Sequence, residues 1–159
     1  MPMTLEGSCQ CGAVNFTVQS HTPVPYQRCY CSICRKQSGG GYAVNLGALA
    51  DTLSVNNWEA LGLYHAVHDD GEVSVAERYF CGVCGTPLWL YDERWPELVH
   101  PVASAITTAL PMPPKRTHVF LDDKPEWVEI DAGAGDQTFA GGPDLSLEDW
   151  HKANGVWVE

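Results

Sequence analysis

The chain is poor in basic residues, and this excludes one large class of partners. Its 159 residues include nine Lys and Arg against 20 Asp and Glu, which gives a formal net charge of −11. Adjacent basic residues occur at 35–36 and 115–116 alone. Because nucleic-acid binding depends on clustered Lys and Arg that neutralise phosphates, we expect no nucleic-acid partner.

The chain also lacks long apolar segments and targeting signals. No apolar run approaches the roughly 20 residues that span a bilayer. The residues after Met1 show neither the basic nor the apolar region of a secretory signal. We therefore expect a cytoplasmic protein without membrane contact. A hydrophobic content of 45% with six tryptophans favours a globular fold over disorder, and the length favours one domain over residues 1–159.

Cysteine, by contrast, is abundant and clustered. The seven cysteines form a C-x-C, a C-x-C-x-x-C and a C-x-x-C motif. A disulfide framework prefers an even count and a secreted chain, and a redox C-x-x-C prefers a βαβ context that is absent around Cys81. Sulfurs one or two residues apart can converge on one ion. Metal binding is therefore favoured over redox thiols and over disulfides.

Seven sulfurs divide into a closed set of four and an open set of three. The C-x-C and C-x-x-C pairs each have glycine beside them, which allows a positive φ or a close backbone approach to sulfur. Two such turns that face each other form a four-cysteine zinc ribbon. We call these four residues the quartet: Cys9, Cys11, Cys81 and Cys84.

The remaining C-x-C-x-x-C motif is then a local set of three ligands. We call it the trio: Cys29, Cys31 and Cys34. Three ligands leave a fourth coordination position for water or substrate, as in catalytic zinc sites. In the alternative division, the trio joins one cysteine of another cluster in a single closed site, and free thiols remain elsewhere.

The residues after the trio add charge and flexibility. Arg35 and Lys36 follow Cys34 directly, and cations beside thiols favour the thiolate. These two residues are also candidates to bind an anionic ligand, and glycines at 39–41 would let that ligand approach the backbone. The six histidines show no paired metal spacing, so we expect surface or core positions for them. Trp89 is a candidate to pack against the quartet.

Alternating apolar and polar residues separated by Gly, Pro, Asn and Asp predict a mainly β fold of short strands. The predicted strands cover residues 13–18, 42–46, 63–67, 75–80, 87–91, 117–121 and 127–130. A hairpin turn is predicted at 69–71, where the sequence is Asp-Asp-Gly.

Two short helices are predicted. One follows Cys31 and ends near 39–41. The other covers 145–153, with Asp144 or Ser146 as N-cap and Gly155 beyond its end. The segment 131–144, rich in Gly, Ala and Asp, is predicted to be an exposed loop. Residues 131–159 would then be a loop and a C-terminal helix appended to the β body.

Four strings of residues together resemble one known family. They are GSCQCGAV at 7–14, CYCSICRKQSG at 29–39, FCGVCG at 80–85 and a stretch of the form H-x-F…K-x-x-W-x-x-I at 118–130. In this order they are similar to the glutathione-dependent formaldehyde-activating enzymes, also called the GFA or CENP-V/GFA domain family. The resemblance covers about residues 4–131.

This resemblance implies a fold, two metal sites and an activity. The fold is the β-tent, a set of antiparallel β-sheets that bears a zinc ribbon. The resemblance implies a structural zinc on the quartet and a catalytic zinc on the trio, hence two zinc ions per chain. It implies the activity of a carbon–sulfur lyase similar to S-(hydroxymethyl)glutathione synthase. The substrate would be a small thiol–aldehyde adduct, with glutathione as co-substrate and Arg35 or Lys36 near its carboxylates.

Two other functions remain open at this point. A β-tent protein can be a non-catalytic binding module that carries only the structural zinc, and a cysteine-rich chain can be a redox or metal sensor. The trio argues against the first of these, because a plain scaffold has no use for three additional thiols.

Overall fold

The computed structural model describes residues 2–157, and in this part of the chain the fold is mainly β, as predicted. The predicted ranges 1–159 and 131–159 thus extend slightly beyond the described residues. The strands are β1 Met3–Ser8, β2 Asn15–Ser20, β3 Gln27–Cys29, β4 Ala43–Asn45, β5 Ala48–Leu49, β6 Ser54–Asn56, β7 Leu61–Tyr64, β8 Glu77–Cys81, β9 Pro87–Tyr91, β10 Leu98–Pro101, β11 Thr117–Val119 and β12 Gln137–Thr138. The α-helices are α1 Ser32–Ser38 and α2 Leu147–Ala153.

The strands form three sheets. One has the order β1-β2-β6, the second β5-β10-β9-β8-β7 and the third β12-β11-β3-β4. The first two sheets are antiparallel throughout. In the third sheet, β11 pairs in parallel with both β3 and β12, while β3 and β4 are antiparallel. This mixed sheet brings the last third of the chain against the trio segment.

The main core lies between the first two sheets. In β2, the alternate residues Phe16, Val18 and Ser20 are buried and those between them are exposed, as expected for a strand with one covered face. Phe16 meets Trp89 of β9 edge to face, with ring centroids 5.1 Å apart. Cys9 and Cys81 belong to this same core cluster, so Trp89 shares the core with the quartet.

A second and smaller core surrounds the trio. It contains Cys29, Cys34, Ala43 of β4 and Val119 of β11, with Phe139 packed against them. Cys29 lies opposite both Ala43 and Val119 in the sheet register. The two cysteine clusters therefore belong to different hydrophobic cores.

Both predicted helices form, and their ends follow ordinary capping rules. Cys31 is the N-cap of α1, and Gly39 is its C-cap, in the left-handed conformation with φ of 79°. Ser146 is the N-cap of α2, and its Oγ accepts a hydrogen bond from the Asp149 N–H at 3.1 Å. Neither helix has the length and apolar character that a membrane span requires, as judged over residues 2–157.

Two sequence predictions are wrong in detail. Residues 127–130 form a turn rather than a strand, because the Val128 N–H donates to Pro125 O and Lys124 Nζ donates to Val128 O. With these backbone groups bonded locally, no ladder forms. The segment 131–144 is not wholly a loop, because β12 lies within it.

The sequence pattern missed or shifted several strands. The strands that were not predicted are β1, β3, β5, β6, β10 and β12, and four of these six have three residues or fewer. Pro87–Tyr91 agrees with its predicted bounds. The hairpin turn at 69–71 is confirmed, since the His68 N–H donates to Glu72 O and Val67 bridges Val73.

Candidate metal centres

The structure brings the four quartet sulfurs together. All four Sγ atoms lie within 4.8 Å of one another. Cys9 Sγ is 3.6 Å from Cys11 Sγ, which is 3.8 Å from Cys81 Sγ. A tetrahedron with metal–sulfur bonds of about 2.3 Å has edges of about 3.8 Å. The spacing of the sulfurs therefore fits a tetrahedral zinc ion, although their role as ligands stays a prediction.

Each cysteine pair of the quartet lies in a tight turn whose backbone conformation favours glycine. Gly12 and Gly85 follow the two pairs with φ of 81° and 82°, a conformation that costs other residues about 1–2 kcal/mol. The Val14 N–H donates to Cys9 Sγ at 3.2 Å, and the Cys84 N–H lies 3.5 Å from Cys81 Sγ. Such donors stabilise a thiolate without competing for its metal.

Thr86, which the sequence analysis missed, connects the two turns. Its Oγ1 accepts a hydrogen bond from the Gln10 N–H at 3.1 Å and lies 3.1 Å from Cys84 Sγ. This hydroxyl contact is the largest effect that lowers the pKa of Cys84 to about 5. Cys9 and Cys81 are buried, whereas Cys11 and Cys84 are exposed. The quartet thus lies at the rim of the main core.

The three trio sulfurs also converge, within 4.8 Å of one another. Cys29 ends β3, and the hydrogen bond from the Tyr30 N–H to Val119 O continues the strand path for one residue. Cys31 then caps α1, and the Cys34 N–H lies 3.4 Å from Cys31 Sγ. A strand end and a first helical turn therefore direct all three side chains to one point.

Because these sulfurs lie close together, the pKa values of Cys29 and Cys34 shift in opposite directions. Hydrogen bonds with Cys31 and Cys34, together with burial, raise the pKa of the Cys29 thiol. Hydrogen bonds from Cys29 and Cys31, followed by the nearby Arg78 guanidinium, lower the pKa of Cys34 to about 2. Three adjacent thiolates repel one another unless a cation lies between them. The donor set accordingly fits a soft divalent ion such as zinc.

The guanidinium that contacts a trio sulfur comes from a distant strand. Both Arg78 Nη1 and Nη2 lie 3.7 Å from Cys34 Sγ. The sequence analysis missed Arg78, although it lies in a predicted strand three residues before Cys81. The one available signal was a cation beside Tyr79 and Phe80, in a strand that packs on the core.

Arg35 and Lys36 lie in the last turn of α1. Arg35 is half-buried, and its Nε has no hydrogen-bond partner among the described residues, whereas Lys36 is exposed. Their role in binding an anionic ligand stays a prediction.

One of the six histidines, His118, contacts the trio segment through Tyr30, and it is a core residue. It is fully buried in β11, with Nδ1 2.9 Å from the Tyr30 hydroxyl and Nε2 3.1 Å from Asp136 Oδ2. Arg116 also donates to Asp136 at 3.0 Å. Tyr30 lies between Cys29 and Cys31 in the chain, so this buried network anchors the trio backbone to the C-terminal segment.

Comparison with known proteins agrees with this architecture. The family model for glutathione-dependent formaldehyde-activating enzymes matches residues 4–123. A crystal structure of a Rhodobacter sphaeroides protein, solved as a structural genomics target, superposes with a TM-score of 0.53 at 27% identity. It covers 69% of this chain and 92% of its own. This solved structure supports the fold.

A curated relative extends the likeness to nearly the whole chain. The Halomonas elongata protein named "Putative glutathione-dependent formaldehyde-activating enzyme" is 55% identical over 155 residues, which are 97% of this chain and 98% of the relative. The aligned region includes most of the segment 131–159, which lies beyond the end of the family match at Asp123. With most of its length matched by the family model and a near full-length relative at this identity, the chain belongs to the glutathione-dependent formaldehyde-activating enzyme family.

Proposed function

We propose that this protein is a zinc-dependent enzyme of the carbon–sulfur lyase type that joins a thiol to a small aldehyde. Glutathione and formaldehyde are the pair that the family's name indicates. The observation that carries the proposal is the separation of the seven sulfurs into a set of four and a set of three, in different cores. A cytoplasmic location fits, because glutathione is abundant there and keeps thiols reduced.

The two clusters have different proposed tasks. The quartet supplies all four ligands of a tetrahedral ion and leaves no position for a substrate. The trio supplies three, so a fourth position stays available. A zinc ion held there would act as a Lewis acid that favours the thiolate form of a bound thiol or polarises an aldehyde oxygen.

The surroundings of the trio support a reaction between small molecules. Ala43, Val119 and Phe139 form an apolar wall beside the sulfurs, which limits water on that side. Arg35 and Lys36 extend from α1 just after Cys34. We assign them to the carboxylates of glutathione, where a charge-assisted hydrogen bond would orient the thiol.

The proposed reaction is an addition without redox change. The sulfur of the co-substrate thiol bonds to the aldehyde carbon, and the carbonyl π pair moves to oxygen. The proton that the thiol loses ends on that oxygen, which gives an S-hydroxymethyl thioether. The reverse sequence releases the aldehyde. Positioning of the two reactants is the main contribution that the protein's own residues make.

Metal content is the first test. Protein purified without chelator is expected to hold two zinc ions per chain, and Cys31→Ser is expected to hold one while it keeps its circular dichroism spectrum. Ser32→Ala is the matched control, because Ser32 is exposed and adjacent. A wild-type content of one zinc, with the three trio thiols open to alkylation, would support the binding-module or sensor function instead.

Catalysis is the second test. Exchange NMR with labelled formaldehyde measures how fast glutathione and its hydroxymethyl adduct interconvert at equilibrium. The wild type is expected to exceed the uncatalysed rate, and Cys31→Ser to return to it. No acceleration by protein that holds both zinc ions would refute the proposed activity. Cysteine in place of glutathione tests whether the whole tripeptide is recognised.

A further inference from the structure

One cation reaches the trio from outside its own segment. Arg78 belongs to β8 of the five-stranded sheet, whereas Cys34 belongs to α1, beside the four-stranded sheet. The two residues are 44 positions apart in the chain, and both terminal nitrogens of the guanidinium lie 3.7 Å from the same sulfur. The planar guanidinium thus donates two hydrogen bonds that converge on one sulfur atom.

Because Arg78 is partly buried, its positive charge needs a negative group nearby, and Cys34 Sγ is the atom that its guanidinium contacts. The side chain is half-buried beside a narrow cleft lined also by Cys34, Ser38 and Asn45. Its Nε is buried and has no hydrogen-bond partner within residues 2–157. Burial of a cation is costly unless an anion is close. A thiolate at Cys34 supplies that anion, whereas a neutral thiol would not.

We propose that Arg78 is the positioning residue that balances the charge of the trio metal site and holds Cys34 as a ligand. This inference rests on the proposed function, since it requires the trio to hold a metal ion. Three thiolates and one divalent ion carry one net negative charge, which a single guanidinium cancels. Hydrogen bonds from Arg78 also draw electron density from Cys34 Sγ, which leaves the ion more able to bind a fourth ligand.

The position of Arg78 adds a link between the two clusters. Three residues after Arg78, β8 ends at the quartet residue Cys81, and the register shifts between Tyr79 and Phe80. The strand that carries one quartet ligand therefore also presents the cation to the trio. Disruption of the quartet is expected to displace Arg78, whereas loss of the trio metal leaves the β8 pairings intact.

The test compares zinc affinity at the two sites of the holoprotein. Arg78→Gln is expected to weaken the trio site by about 10–100-fold, the range typical when a residue that supports a metal ligand is removed, and to leave the quartet unchanged. Competition with a chromophoric chelator measures the affinities. Cadmium NMR assigns them, because four-sulfur and three-sulfur sites resonate separately, and Arg78→Gln should shift the trio signal alone.

Arg94→Gln is the matched control, because it removes the same charge from an exposed arginine that pairs with Asp92. Arg78→Lys keeps the charge without the planar pair of donors, so its trio affinity is expected to lie between those of wild type and Arg78→Gln. If Arg78→Gln does not fold, the zinc affinity of the trio in Arg78→Lys is compared with that in Arg94→Gln instead.

Two results would overturn the inference. One is a trio affinity in Arg78→Gln equal to that in Arg94→Gln. The other is a parallel loss at both sites, which would make Arg78 a structural residue of β8. A wild-type protein with one zinc would instead contradict the proposed function itself, so the two failures are distinguishable.

Discussion

Removal of a ligand is expected to have very different consequences in the two clusters. An ion held by the quartet would join residues 70 positions apart, as between Cys11 and Cys81, whereas an ion held by the trio would join residues within 29–34. If a bound ion acts as a cross-link, the chain-entropy relation gives about 4 kcal/mol for the long loop and about 2 kcal/mol for the short one. Structural zinc sites in small modules contribute on the order of 10 kcal/mol in total.

These magnitudes compare directly with the stability of a domain, which is about 5–15 kcal/mol. Loss of an ion from the quartet would remove most or all of that stability. Loss of the cross-link that a trio ion would form removes about 2 kcal/mol, which lowers the Tm of a domain of this size by about 4–8 °C. We therefore expect Cys84→Ser and Cys81→Ser to be unfolded or insoluble, and Cys31→Ser to remain folded.

The assay is thermal unfolding followed by circular dichroism at a fixed concentration of free zinc. Cys84→Ser is the sharper quartet variant, because Cys84 is exposed and its loss removes a ligand without a core side chain. Cys81 is fully buried, so Cys81→Ser removes both a ligand and a core side chain. Equal decreases in Tm for Cys84→Ser and Cys31→Ser would refute the division into a structural and an open site.

Three further predictions concern stability. Gly85→Ala, at φ of 82°, should lower the free energy of unfolding by about 1–2 kcal/mol and weaken zinc binding at the quartet. Gly71→Ala, at φ of 88°, is the control, because it should lower the free energy of unfolding as much without affecting zinc binding. Urea unfolding measures the stability of both variants, and competition with a chelator measures their zinc binding. Burial raises the pKa of Asp136, but hydrogen bonds from the Arg116 backbone and His118 lower it overall, from 3.8 to about 2, so Asp136→Asn should lower the free energy of unfolding at pH 7 by about 2 kcal/mol. Burial lowers the pKa of His151 below its usual 6.5. The unfolded chain then takes up the proton first as pH falls, so stability should decrease as the pH falls below about 7, and less so in His151→Gln.

The local clusters of neighbouring cysteines were predictable because each depends on local chain geometry. Residues one to three positions apart can direct their side chains to a common point whatever the rest of the fold does, as Cys31 and Cys34 show at the start of α1. Glycine at 12 and 85 was likewise a local signal, since positive φ is a property of the residue itself. The mainly β character also followed from local alternation.

Contacts across the sheets could not be predicted in this way. Arg78 lies 44 residues from Cys34, and Tyr30 lies 88 residues from His118. The parallel pairing of β11 with β3 creates the second of these contacts, and no local pattern indicates which strands become neighbours. The apolar alternation at 127–130 was misleading for the same reason, because a strand forms only where a partner strand is available.

The sequence by itself determined the chemistry of the site: seven sulfurs, their local clusters and the turns that hold them. Only the tertiary structure decided that the first and last clusters meet, that the middle one stays apart in its own core, and that an arginine from another sheet lies against it. The physical reason is that connectivity constrains neighbours in the chain, whereas distant residues meet only through the packing of sheets. That packing depends on the whole set of buried side chains.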